Sequence, residues 1–176
     1  SSLIQYEIEP TVFCYEMAES LSKIAQALGK DAKIHIKLDT GMNRIGFKPT
    51  KESVDIIEKI AKLPNIKIQG IFTHFACADE QERKYDQFIT WLEERDIYIP
   101  IKHVSNSASI IDLDGFRKDM VRSGIITYGL YPSEEVSKDV LDLRPAMELK
   151  THIVYIKEVE AGEGISYNHT YVTDKK

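Results

Sequence analysis

Apolar residues recur along this chain with two periods that take turns. Ile34, Ile36 and Leu38 alternate with Lys33, His35 and Lys37, the period of two that predicts a strand. Met17, Leu21, Ile24, Ala25 and Leu28 instead share one helical face, and Gly29 is placed to stop that helix. Val54, Ile57, Ile60 and Ala61 predict a second amphipathic helix that ends before Pro64. Residues 66–74 form a mostly apolar strand. Asp79 with Glu82 predicts a capping-box start for a third helix, whose buried face is Tyr85, Phe88, Ile89 and Leu92. Residues 8–13 and 101–104 predict further short strands, and residues 120–130 another, interrupted by Arg122-Ser123-Gly124. The order β-α-β-α-β-α-β with short connections is that of parallel sheet units.

The rhythm changes beyond Pro132. Residues 133–144 are polar and read as a connection. Met147, Leu149, Thr151 and Ile153 then alternate with Glu148, Lys150 and His152, with no helix before residues 154–156. That predicts antiparallel β-structure, hence one domain over 1–140 and the start of a second over 141–176. Gly162 and Gly164 mark a turn before residues 165–171. A β-region this short cannot close its own core, and Thr173-Asp174-Lys175-Lys176 reads as a cut within a longer chain.

Composition narrows the function classes. With 43% hydrophobic and 29% charged residues among 176, the chain is that of an ordinary soluble domain. A net charge of -5 and the lack of a basic cluster argue against nucleic-acid binding. Cys14 and Cys77 lack metal or redox spacing, so free buried thiols in a reducing compartment and no metal site are expected. No apolar run approaches the roughly 20 residues of a membrane span, and no signal peptide is visible; a cytoplasmic protein is the expectation.

Charged groups gather where the strands end, the place where parallel α/β folds collect binding and chemistry. The string from Lys33 to Phe47, KIHIKLDTGMNRIGF, contains His35, Lys37, Asp39-Thr40-Gly41-Met42, Arg44 and Gly46. This pattern resembles the HxKxDTGMxRxG signature of alanine racemases, fold-type III enzymes that carry pyridoxal phosphate (PLP). Four more stretches are similar to that family in the same order. They are Thr73-His74-Phe75-Ala76 with Ala78-Asp79, His103 with Asn106-Ser107-Ala108, Met120-Val121-Arg122-Ser123-Gly124-Ile125 with Tyr128-Gly129-Leu130, and Ser166-Tyr167 with Thr170-Tyr171. The resemblance implies part of a (β/α)8 TIM-type barrel followed by the start of an antiparallel β-domain. No lysine here is followed by Ala-Asn-x-Tyr-Gly, the family segment whose lysine tethers PLP. The expectation is therefore a piece of a longer enzyme, inactive alone.

The same resemblance implies roles. Racemisation needs a base on each face of the substrate; the tethering lysine is one and Tyr167 the other, reaching a partner subunit's site in a homodimer. Arg122 faces the pyridine nitrogen, where a permanently protonated guanidinium weakens the electron sink and suppresses transamination. His103 and His74 hold this arginine and link it toward the tyrosine. Ser107 and the amides of Gly124 and Ile125 bind the phosphate. Arg44 touches the phenolic oxygen and the substrate carboxylate, and Lys37, often carbamylated in the family, buttresses Arg44. The implied reaction interconverts L- and D-alanine for peptidoglycan. A serine/alanine racemase, a related decarboxylase and a non-catalytic PLP-binding barrel are the alternatives.

Overall fold

The computed structural model describes residues 1–113 and 117–176, which divide into two units, Ser1–Ala146 and Met147–Lys176. In the first, the alternation at 33–38 becomes β2 (Ala32–Lys37), flanked by β1 (Thr11–Val12), β3 (Ile66–Phe72) and β4 (Ile101–His103). All neighbours pair in parallel, in the order β1-β2-β3-β4. Helices α2 (Tyr15–Leu28), α3 (Lys51–Ala61) and α4 (Ala78–Glu93) connect them, and short helices α1 (Ser2–Gln5) and α5 (Ser107–Asp112) precede β1 and follow β4. This is part of a (β/α) barrel wall.

The two faces of the sheet differ in chemistry because side chains alternate along a strand. Ile34, Ile36, Leu38 and Ile71 are fully buried and join Ala18, Ala25, Val54, Ile57, Ile60, Tyr85, Phe88 and Leu92 in the core. His35, Lys37, Phe72 and His103 meet on the other side. A register shift between Ile34 and His35 sets His35 opposite Gly70. Gly29 stops α2 in the left-handed region at φ 60, and the Thr50 side chain caps α3 by accepting from the Ser53 amide.

Three local expectations are corrected. Helix α4 starts at Ala78, with Cys77 as its cap, and the Gln81 amide oxygen takes the place of a capping box by accepting from the Ala76 and Cys77 N–H groups at 2.6 and 2.8 Å. Residues 120–130 form no strand. Their approach to β4 consists of isolated bonds, Asp119 N–H to Lys102 O and Arg122 N–H to Ser105 O, after which Ile125–Tyr128 coils into a 3-10 turn. Burial also differs from expectation: Leu28 and Ala61 lie outside the buried faces of their helices, Cys77 is exposed and Cys14 is half-buried.

In the second unit, β5 (Gly164–Ile165) and β6 (Tyr171–Val172) pair in antiparallel fashion around the turn Tyr167–His169. Thr173 closes the pair, its hydroxyl donating to Glu160 O and its backbone exchanging bonds with Gly162 and Glu163. The alternating residues 147–156 form no strand among the described residues, and Leu149 is 99% exposed. An alternating pattern supplies a face, but a strand also needs a neighbour to take its backbone hydrogen bonds.

Candidate active site

Lys37 ends β2 with its side chain buried, and its Nζ donates to Leu38 O at 2.8 Å. The loop that follows is folded back on itself. Asp39 N–H donates to Phe47 O, Phe47 N–H donates to Lys37 O, and Asp39 Oδ1 accepts from the Gly41 and Asn43 amides. Gly46 sits at φ 131, and a Cβ there would lie 2.7 Å from Asp39 N, so only glycine fits this closure. Arg44 rides on this loop.

The β3 exit is tied to that loop by a threonine pair and by Gln81. Thr73 and Thr40 share a hydroxyl hydrogen bond of 2.7 Å, and Gln81 Nε2 donates to Thr40 Oγ1 and to the His74 carbonyl. Four bonds to Gln81 therefore fix how the loops bearing Arg44 and His74 leave the sheet.

These positions crowd cations together. Burial lowers the Lys37 pKa to about 8, with Arg122 and Arg44 adding to the fall and Asp39 opposing it. His74 is pushed down by burial first, then by Arg122, Arg44 and Lys37. Burial also lowers Arg122. The ring of Phe72 underlies this cluster, with Arg122 at 5.0 Å and Lys37 at 5.6 Å from its centroid.

Arg122 is the most heavily anchored group. Its Nη1 donates to His103 Nδ1 at 2.8 Å and to His103 O, and its Nη2 donates to Thr73 O at 2.8 Å and to Val104 O. Among the described residues these bonds use the terminal nitrogens and leave the Nε–H uncommitted. His103 stacks on Phe72 with ring centroids 4.7 Å apart, and burial followed by Arg122 and His35 lowers its pKa to about 3. The imidazole is neutral at physiological pH.

Beyond β4, Asn106 caps α5 and donates to Phe75 O, placing Ser107 at the first helical position. Ser107 Oγ accepts from the Gly124 amide at 2.9 Å, and a side chain at 124 would press on that hydroxyl. His74, Ser107, Arg122, Gly124 and Ile125 line a cleft of about 380 Å³. The sheet thus brings Lys37, Arg44, His74, His103, Ser107, Arg122, Gly124 and Ile125 to the strand exits of the first unit. Tyr167 belongs to the second unit, where its side chain is 92% exposed. No group of three or more His, Cys, Asp or Glu among the described residues could hold a metal, and no described helix is long and apolar enough to cross a membrane.

Sequence reasoning assigned no role to Glu9, His35, Phe72 or Gln81. His35 stood inside the signature, and its alternation with Lys37 was the available sign that it shares the functional face. Gln81 carried none, because glutamine in a first helical turn is commonplace.

The family model for the alanine racemase N-terminal domain matches residues 1–132, and that for the C-terminal domain matches residues 146–176. The alanine racemase of Clostridium tetani is 52% identical over 98% of this chain and 47% of its own length. That of Methanococcus maripaludis is 49% identical over 99% of this chain and 49% of its own. The solved alanine racemase of Clostridium difficile 630 matches with a TM-score of 0.90 at 47% identity, over 99% of this chain and 48% of that one. The Bacillus anthracis enzyme, solved with bound L-Ala-P, gives 0.86 at 32% identity over 99% and 47%. The chain spans about half the length of the curated relatives it matches.

Proposed function

The chain belongs to the alanine racemase family, and from that premise we propose that the protein interconverts L- and D-alanine with PLP, as a cytoplasmic homodimer that supplies D-alanine for peptidoglycan. The donor set suits the cofactor. The Ser107 hydroxyl and the Ile125 amide offer neutral donors to a phosphate, with the Gly124 amide, which here donates to Ser107 Oγ, beside them, and the lining Arg122 guanidinium complements its charge. PLP, when bound, supplies the electron sink that makes the substrate α-proton removable.

The observation that carries this reading is the anchoring of Arg122. Four bonds hold its terminal nitrogens, so the uncommitted Nε–H is the donor left for a pyridine nitrogen. A guanidinium does not give up its proton there, so Arg122 would leave the pyridine nitrogen of a bound PLP unprotonated and its electron sink weak. Arg44 supplies a cation for the substrate carboxylate, and a carbamylated Lys37 would hold Arg44 by an ion pair. Tyr167 holds or takes a proton at its Oη on one face of the substrate, in the site of the partner subunit. The base for the other face is a lysine in a Lys-Ala-Asn-x-Tyr-Gly segment, which is not among these residues.

The test is racemisation in deuterated water by the full-length protein, starting from each enantiomer of alanine. Both should lose optical activity and gain deuterium at the α-carbon. PLP binding without exchange would favour the non-catalytic barrel, release of carbon dioxide the decarboxylase, and faster exchange of serine the serine racemase; each would overturn the proposal.

A further inference from the structure

We propose that Glu9 and His35 are positioning residues: through His103 they fix the direction of every proton in a relay that ends on Arg122. This rests on the reading of Arg122 given above, but the protons can be placed without it. A guanidinium only donates. His103 Nδ1, 2.8 Å from Arg122 Nη1, must therefore accept, and the neutral ring carries its proton on Nε2. That nitrogen lies 2.8 Å from His35 Nδ1, so His35 accepts on Nδ1 and carries its own proton on Nε2. His35 Nε2 then donates to Glu9 Oε2 at 2.9 Å. All three bonds run one way, from Arg122 to the Glu9 carboxylate.

The fold builds space for this relay. His35 and His103 sit on β2 and β4, with β3 between them. The His35 ring crosses β3 over Gly70, where a Cβ would stand 2.2 Å from His35 Nδ1. Gly70 has an ordinary φ, so room for the ring, not backbone freedom, calls for glycine there. The shift in register beside His35 sets it against Gly70. Glu9 is delivered by β1, whose Thr11 pairs with His35 and whose preceding Pro10 carbonyl accepts the His35 amide.

Loss of the carboxylate would travel inward. Without Glu9, the His35 Nε2–H exchanges its carboxylate acceptor for solvent, and the ring is freer to move its proton to Nδ1. That proton would confront the His103 Nε2–H, and relief by moving the His103 proton would turn an N–H against Arg122. The far carboxylate thus holds, from its own end, the same proton order that the guanidinium imposes from the other.

Histidine ring ¹⁵N–¹H correlation spectra of the full-length protein read this directly. Wild type should show the Nε2–H form at His35 and at His103. Glu9→Ala should shift both rings toward mixed tautomers, whereas Glu9→Gln, whose amide oxygen still accepts, should keep both. In racemisation assays Glu9→Ala should lower kcat with little change in KM, and Glu9→Gln should recover most of it. Unchanged ring spectra in Glu9→Ala, or an Nδ1–H form of His103 in wild type, would overturn the proposal. If alanine is not racemised, the functional reading falls while the ring spectra still decide this one.

Discussion

Lys37 is a buried lysine beside two arginines, and the cost of that position appears as a pKa of about 8. The sign matters for its chemistry. Carbon dioxide adds to the neutral amine, of which about half is present at pH 8, against under about one per cent for an ordinary lysine. The product is an anion beside Arg44 and Arg122, so the two arginines that add to the fall favour the carbamate, whereas burial, the larger cause, opposes either charge. Native mass spectrometry of the full-length protein in bicarbonate near pH 8.5 should show one added carbon dioxide, absent in Lys37→Gln and lost on acidification. His103 gives a second expectation. Its pKa lies near 6.5 when unfolded and about 3 when folded, so below 6.5 the unfolded chain binds more protons. The stability tied to a neutral His103 is complete above 6.5 and is lost as pH falls from there toward 3. Urea unfolding across that window should show a steeper loss for wild type than for His103→Asn; parallel curves would refute it.

Among the elements, the weight rests on how loops leave strands. Gln81 satisfies two amides at the start of α4 and ties Thr40 to the His74 carbonyl while itself buried. Gln81→Leu keeps the volume but strips partners from those amides, and should cost about 1–3 kcal/mol in denaturant unfolding. A change below a few tenths would mean that water replaces those bonds. Strands β1–β4 and helices α2–α4 were legible because burial on a single face imposes a period on the sequence. The capping of α4 was not, since Asp79 and Glu82 fit a capping pattern that Gln81 fills by reaching backward. Residues 120–130 looked like a strand because they are apolar around Arg122. Their conformation follows instead from the anchoring of that guanidinium and from the Gly124 amide meeting Ser107, long-range bonds that no local pattern records.

For the molecule as a whole, motif resemblance named the candidate groups on the first unit, but it could not supply the Glu9–His35 extension, which needs four strands in register. Nor does periodicity reveal where Tyr167 acts, because among the described residues its unit offers only the two-residue strands β5 and β6 and the 3-10 turn that carries Tyr167. The proposal that Tyr167 serves a partner's site has a distinctive consequence in mixed dimers. Tyr167→Phe should by itself slow turnover by about 10²–10⁴ while PLP binding persists, since the hydroxyl acts on the substrate proton. Arg122→Ala should also be nearly inactive, through the cofactor side of the site. If the tyrosine crosses the interface, a dimer of one Tyr167→Phe subunit and one Arg122→Ala subunit has one site with both groups intact and one with neither. Random exchange between the two inactive proteins should then restore roughly a quarter of wild-type activity, because half the dimers are mixed and each has one competent site of two. If Tyr167 acts within its own subunit, every site in the mixture lacks one group and nothing is restored. Size-exclusion chromatography confirms that both variants remain dimers, so an inactive mixture of exchanging dimers would assign the tyrosine to its own chain's site.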